Sequence, residues 1–532
     1  MDSVCGMLRA GRRGSAAADG AAACGVRRIL PGPGRQRADV RSWLGAGVAA
    51  PGAPTRPTSP RPGPSSRGEE ATGGNEALRW HRRVVRWASA ILLVGAVAAV
   101  ALASQALATT ALAVGWTTYH GSNSRAGSAT EPAVRILRAA WRSPTLDGAM
   151  YAEPLWLGGR VYVATENDSV YALSLKTGRV IWRRHLGTPV PRADLPCGNI
   201  NPLGITGTPV IRGDRLYVAV ERLPVQHRLF ALRLATGQVV GSWSLDLGLR
   251  GSDPVAQQQR AALTAFDGAI YVPLGGLYGD CGTYVGQVIA IRPGRAPLRY
   301  RVPTTREGAI WGTSGLAVDE GDLYAATGNS ASDSRWDGGD SVLRLSPDLR
   351  LIGHFAPDDF AHLNEADLDL GSTGPLPVAG GRLFEIGKQG IGYLLSASHL
   401  GGVGHPLDSA QVCDGAYGAD AYADGRIYVP CTNGLVALAL RRRGFTVAWR
   451  GPSWPAGPPV VGGQAVFTVD EANASLVVLS ATDGRTIAVR PLPAAVPFDA
   501  PTLAPDLVLV PAGTAVLAFS LARPCRPEFC RR

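Results

Sequence analysis

The sequence predicts an all-β protein: an eight-bladed β-propeller of four-stranded antiparallel blades, preceded by a disordered N-terminal region and one transmembrane helix. Three observations predict it. A strand-and-turn phrase recurs eight times, no long amphipathic helical pattern interrupts the copies, and turn residues are abundant, with 67 Gly and 40 Pro among 532 residues. With 45% hydrophobic and 18% charged side chains, the chain suits a globular fold and excludes a coiled coil.

Residues 1–80, rich in Pro, Gly, Ala and Arg without apolar periodicity, read as disordered. They distort the charge balance. The formal charge of +11 comes from 53 basic and 42 acidic side chains, yet 15 of the former and 6 of the latter fall in residues 1–86. The rest is nearly neutral, which removes the driving term for nucleic-acid binding. Apart from Lys176 and Lys388 every basic residue is Arg.

From Trp87 to Trp116 there is no charged residue, and Arg82, Arg83 and Arg86 precede the stretch. Its length suits a span of about 30 Å of hydrocarbon, placed here at 87–114, with the flanking arginines keeping the N-terminus cytoplasmic and the propeller outside. A cleaved signal peptide is the alternative, because Ala106-Leu107-Ala108 and Ala111-Leu112-Ala113 fit small-x-small cleavage sites and translation starting near Val84 would shorten the n-region. In that case the propeller is secreted. Cysteine usage agrees with export: six of the eight lie beyond the stretch, an even number. Pairings of Cys413 with Cys431 and Cys525 with Cys530 are the most local and leave Cys197 with Cys281, but spacing does not fix the connectivity. Without C-x-x-C pairs or a nearby His set, zinc is not indicated.

The clearest copy of the repeat, PLWLGGRVYVATENDSVYALSLKTGRVIW, runs from Pro154 to Trp182 and reads as strand, turn, strand, Gly-bearing turn, strand. Its marker is Tyr162. The other markers are Tyr217, Tyr271, Tyr324, Phe384, Tyr428, Phe467 and Leu509. Spacings of roughly 40 to 60 residues are those of propeller blades. The last copy ends at Leu521 without a Trp-ended outer strand, whereas the orphan segment from Ile136 to Trp141 looks like one. That segment is therefore expected to complete the last blade and close the ring, hiding the open sheet edges. Insertions at 185–208, 246–262, 278–286, 329–339 and 354–375 are the loops on which function is expected. The propeller thus covers 116–521, with a tail at 522–532.

The Val-Tyr-Ala-Leu-x-x-x-Thr-Gly-x-x-x-Trp phrase at 170–182 resembles the blade repeat of pyrroloquinoline quinone (PQQ) binding-like propellers, a superfamily that includes quinoprotein alcohol dehydrogenases, polyvinyl alcohol dehydrogenase-like proteins and an outer-membrane assembly lipoprotein. The lead-in Trp116-Thr117-Thr118-Tyr119-His120 is similar to the start of exported, actinobacterial-type members. The resemblance covers 116–521. In the dehydrogenases PQQ lies on a Ca²⁺ ion over the central channel, and an aspartate acts as base. What the resemblance then implies is Glu221 and Asn329 as metal ligands, Asp367 or Asp369 as base, and Lys388 on the quinone. Thr208 and Trp311 are further cofactor contacts, although Trp311 does not stand in a clear ring-stacking position. Each has a bland alternative: Glu221 a salt-bridge partner, Asn329 a turn residue, Asp367 or Asp369 a loop anion capping backbone N–H groups. The chain departs from the dehydrogenases in having no adjacent Cys-Cys pair, no haem domain, and a shifted first-blade glutamate at Glu153.

No G-x-S-x-G, H-E-x-x-H or P-loop motif appears, so hydrolase and nucleotide-binding readings have no support. The leading expectation is a membrane-tethered propeller that binds an unknown small molecule or protein at its face and serves as a scaffold. The alternative is a Ca²⁺/PQQ alcohol dehydrogenase of the polyvinyl alcohol type.

Overall fold

A computed structural model describes residues 115–130, 137–246 and 253–521. Eight antiparallel sheets follow one another along the chain. In the first blade, Leu155–Leu157, Arg160–Thr165, Ser169–Ser174 and Val180–His185 run from the axis outward, and the outermost strand is the exposed one. All eight markers lie on the second strand of their blade. Each is cross-paired with an inner-strand residue, as in Leu155 with Tyr162, Val210 with Tyr217 and Val460 with Phe467. Tyr162, Tyr217, Tyr271, Tyr324, Phe384, Tyr428, Phe467 and Leu509 are all buried, so the marker is the core residue of its blade.

The ring closes as expected. Arg138–Arg142 pairs antiparallel with Ala515–Ser520 and becomes the outer strand of the eighth blade; Ile136 itself lies outside the described residues. Closure is reinforced by a contact that recurs between blades. The Trp141 ring lies over Gly178 and its Nε1 donates to Leu175 O at 2.9 Å. Trp182 over Gly237 and Trp449 over Gly484 repeat the arrangement, donating to Leu234 O and Ala481 O. The three glycines have φ of 68°, 68° and 73°, and a Cβ at any of them would overlap the ring. Gly is therefore required twice over, by the left-handed turn and by the indole.

The segment before the propeller crosses the channel, passing from the inner strand of one blade to that of another. Gly115–Trp116 adds to the innermost strand of the first blade and Ser128–Ala129 pairs with Val460–Gly462 of the seventh. Between them Thr117 O, Asn123 O, Ala126 O and Gly127 O accept from the inner-strand amides of Ile211, Val318, Tyr422 and Val461. Arg125, 1% exposed, donates five hydrogen bonds, to Leu316 O, Thr118 Oγ1, Tyr119 O, Leu263 O and Thr264 Oγ1. A segment read from sequence as a lead-in is a plug that ties six blades together.

Among the insertions, 354–375 contains one short α-helix, Phe360–Ala366, where the sequence suggested only a loop. Disulfides join Cys197 to Cys281 and Cys413 to Cys431. The first staples the 185–208 insertion to the one at 278–286. The stretch expected to span the membrane at 87–114, the N-terminal region and Cys525 and Cys530 lie outside the described residues. Among the described residues no helix is long and apolar enough to cross a membrane.

Candidate functional site

Tyr119 of the plug sets the floor of the site. It packs against Ala262, Ala419 and Ala500, each just ahead of an inner strand, and its hydroxyl is 3.2 Å from that of Thr313. In extended backbone, residues two apart point the same way. The residues two positions before these are Arg260, Tyr417, Phe498 and Trp311, and all four are partly buried where the floor residues are buried. They gather around the axis. The Arg260 guanidinium lies 4.8 Å from the Phe498 ring centroid, Phe498 stacks on Tyr417 at 6.1 Å, and Trp311 is 6.4 Å from Phe498.

Against this aromatic group stands the cluster that the sequence marked. Lys388, just past the second strand of the fifth blade (Arg382–Ile386), brings its ammonium to 5.9 Å from the Trp311 centroid. Nζ is 2.6 Å from Asp367 Oδ1 and 2.5 Å from Asp369 Oδ2. Asn329 follows the second strand of the fourth blade (Asp322–Ala326); its backbone N–H donates to Asp369 Oδ1 at 2.7 Å and its Nδ2 to Asp367 Oδ1 at 2.9 Å. Asn329 Oδ1 is buried with no partner among the described residues. Asp367 holds the left-handed C-cap of the short helix, with φ of 54°, which turns the chain so that Asp369 follows at 7% exposure. Gly328 has to be Gly, because a Cβ there would run into the Asp369 carboxylate.

The cluster is rich in acid. Asp340 Oδ1 accepts from the Leu370 N–H while Oδ2 is buried and unpartnered; burial, and then the Asp369 charge, pushes this carboxyl well above its usual range. Asp280 and Glu307 are likewise raised, by burial first and partly by the aspartates at 367 and 369. Burial alone would lower Lys388, but the Asp369 and Asp367 charges outweigh it and hold the ammonium protonated above its ordinary range.

The other two expected residues make their contacts elsewhere. Glu221, 2% exposed, is the cross-strand neighbour of His227, whose Nε2 is 3.3 Å from Glu221 Oε2 and 3.2 Å from Gln257 O. His227 Nδ1 is 2.8 Å from Asp246 Oδ1. Burial opposes charge on this imidazole, but the Glu221 and Asp246 carboxylates outweigh it and push the pKa up to about 10. Thr208 Oγ1 accepts from the Glu153 N–H at 2.9 Å, level with the floor. Glu153 takes the Trp116 indole N–H and the His120 amide on its carboxylate, so it belongs to the plug. Among the described residues no group of three or more His, Cys, Asp or Glu is arranged to hold a metal ion.

Sequence reasoning missed Arg260, Tyr417 and Phe498. The signal was there: each stands eleven residues before its blade marker, at Tyr271, Tyr428 and Leu509, as do Tyr151, Thr206 and Ala456 in their blades. Trp311 stands thirteen before Tyr324. Aligning the copies on their markers brings Arg260, Tyr417 and Phe498 into one column and leaves Trp311 two positions away from it.

The profile of a family of PQQ-like repeats, described as outer membrane protein assembly factor BamB, matches residues 138–337. The polyvinylalcohol dehydrogenase of Sphingopyxis sp. (strain 113P3) is 25% identical over 232 residues, 38% of this chain and 33% of that protein, so the match spans about a third of the relative's length. The fold is similar to that of quinohemoprotein alcohol dehydrogenase from Comamonas testosteroni, with a TM-score of 0.60 and 16% identity over 78% of this chain and 81% of that one. It is also similar to BamB from Moraxella catarrhalis, with a TM-score of 0.51 and 13% identity over 72% of this chain and 100% of that one.

Proposed function

We propose that this chain, a β-propeller of the PQQ-like repeat family, oxidises a hydroxyl-bearing substrate at its axial mouth with a bound quinone as electron acceptor. The observation that carries the reading is the meeting of Asn329, Asp367, Asp369, Lys388 and Trp311, drawn from two successive blades, at one point on the axis. A planar quinone fits these residues. Trp311 offers an indole face, Lys388 a charged donor and Asn329 Oδ1 a buried acceptor without a partner. When bound, the quinone supplies the acceptor for two electrons and the carbon-bound hydrogen.

The residues do not fit a calcium ion in the same way. Glu221 is taken up by His227, and the aspartate oxygens face Lys388 and the Asn329 N–H groups. No step is assigned to a metal. Asp369 takes the hydroxyl proton. It is buried and anchored on one oxygen by the Asn329 amide, so its second oxygen is aimed by the backbone. Lys388 Nζ, 2.5 Å from Asp369 Oδ2, fixes the position of that oxygen. The likeness to a polyvinylalcohol dehydrogenase supports a hydroxyl substrate.

A second reading, a binding module without turnover, is favoured by the capture of Glu221 in the buried His227 cluster and by the likeness to BamB. Tethering through 87–114, with the propeller outside the cytoplasm, is part of both readings. The test titrates the full-length chain with PQQ, with and without Ca²⁺, and follows dye-linked oxidation of alcohols, polyols and aldoses. Binding with turnover that Asp369→Asn abolishes supports the oxidoreductase. No binding at high micromolar PQQ leaves the binding module.

A further inference from the structure

The propeller separates charge between its two ends, and the chain enters at the end away from the mouth. In the first blade the turns at 158–159 and 175–179 lie at that far end, while the turn at 166–168 and the link to the second blade lie at the mouth end. Leu157 closes the innermost strand at the far end, and its partner there is Gly115. Ala129 pairs with Gly462 at the same end of the seventh blade, and Arg138 with Ser520 at that end of the eighth. The plug therefore enters and leaves the channel on the far side. The uncharged run that begins at Trp87 reaches Trp116, which is already paired with Trp156, so no linker stands between the run and the sheet.

Charge divides along the same line. Beyond residue 86 the chain is nearly neutral overall, yet basic residues outnumber acidic ones at the far-end turns and the balance is reversed at the mouth end. At the mouth, the 354–375 insertion holds Asp358, Asp359, Glu365, Asp367 and Asp369 and no Lys or Arg. At the far end Asp214, Asp267, Asp322, Asp348 and Asp483 are each paired with a neighbouring arginine. Outside those pairs the exposed acids are Glu320, Asp424 and Asp506. Against them stand Lys176, Arg179, Arg212, Arg295, Arg442 and Arg443, all exposed and in no ion pair among the described residues.

These cations sit on the turns of four blades, around one rim of the ring. A guanidinium pairs with a phosphate through two parallel hydrogen bonds. Its attraction at a surface fades over a Debye length of about 8–10 Å, so the rim recognises only what is held against it. The run that ends at Trp116 supplies that closeness. Its length suits the hydrocarbon of a bilayer, and without a linker the rim cannot leave the headgroups.

We propose that the far end of the propeller is a membrane-docking face: its unpaired cations rest on anionic phospholipid headgroups, and the mouth opens away from the membrane into water. The proposal rests on the reading that 87–114 spans the membrane, and adds the orientation of the propeller and the charge class of the lipid beneath it.

The test reconstitutes the full-length chain in nanodiscs of phosphatidylcholine, with or without phosphatidylglycerol, and follows amide hydrogen exchange by mass spectrometry. Exchange at 175–179, 212–215, 292–295 and 441–444 should slow at least about threefold when phosphatidylglycerol is present. The mouth insertions at 329–339 and 354–375 should not change. In about 1 M sodium chloride, where the screening length falls to about 3 Å, the lipid effect should disappear. Replacing Lys176, Arg179, Arg441, Arg442 and Arg443 together by Ser should abolish it at an unchanged thermal midpoint, and replacing the four arginines by Lys should keep most of it. Equal exchange in the two lipids, a lipid effect at the mouth insertions instead, or one that survives salt or the serine variant overturns the proposal. The span is read separately, by flotation with phosphatidylcholine vesicles in about 1 M sodium chloride, where headgroup attraction is screened. A chain that fails to float there lacks the span. Its flotation with phosphatidylglycerol vesicles at low salt, weakened at least about tenfold in the serine variant, would still support the docking face. Equal flotation of the two proteins would overturn it, because both carry the arginines of residues 1–86.

Discussion

Two arginines near the propeller axis mark the difference between its two levels. Arg125, in the plug, has five hydrogen bonds to carbonyls and hydroxyls. Arg260, in the mouth, has an aromatic face beneath it and no hydrogen bond among the described residues. The same side chain has its donors taken up by the fold at one level and makes no hydrogen bond among the described residues at the other. Hydrogen-bond satisfaction, more than burial, separates the two.

The comparison breaks or sharpens through four measurements. Arg125→Met removes the donor from three carbonyls and two hydroxyls inside the ring and should lower unfolding stability by at least about 3 kcal/mol, whereas Arg260→Gln should change it by less than about 0.5 kcal/mol. Comparable losses in denaturant titrations would erase the distinction. Asp369→Asn should lower kcat by about 100-fold or more with an unchanged unfolding midpoint, and a retained rate would remove this residue as the base.

The third measurement is pH. Glu166 and Glu471 are raised in the folded protein from an ordinary value of 4.5 to about 7. Their contribution is therefore fully present below the unfolded pKa and is lost as pH rises through about 7, a fall on the order of 3 kcal/mol for each group. Replacing both with Gln should flatten the thermal midpoint between about pH 5 and 8. His227, raised from 6.5 to about 10, loses its contribution in a separate and higher window. The smallest effect belongs to the plug. Gly127 has φ of 60°, and a Cβ there would sit 3.1 Å from Ala421 Cβ and 3.2 Å from Pro459 O, so Gly127→Ala should cost about 1–2 kcal/mol in the same titrations.

How far the sequence could be read differs between these levels. The eight markers, the turns between strands and the orphan Trp141 strand identified the blades and their closure, and each occupies the position expected. Asn329, Asp367, Asp369 and Lys388 were singled out through the family resemblance, and they lie within hydrogen-bonding distance of one another; Asn329 and Lys388 each follow the second strand of their blade, whereas the two aspartates sit in the 354–375 insertion. Glu221 shows the limit of spacing as a guide. His227 is six residues on in the chain but directly opposite in the paired strand, and that register turns the carboxylate toward an imidazole. The plug was invisible because nothing local tells a segment crossing a channel from one leading up to it.

The sequence by itself determined the blade count, the strand order and the way the ring closes, because turn chemistry and two-residue alternation act over a few residues and repeat eight times. Only the tertiary structure decided that Arg260, Trp311, Tyr417 and Phe498 share one mouth and that Tyr119 closes it beneath them. Residues from separate blades meet only when the closed ring brings the starts of its inner strands to a common axis. That convergence is a property of the ring and is written in no single copy of the repeat.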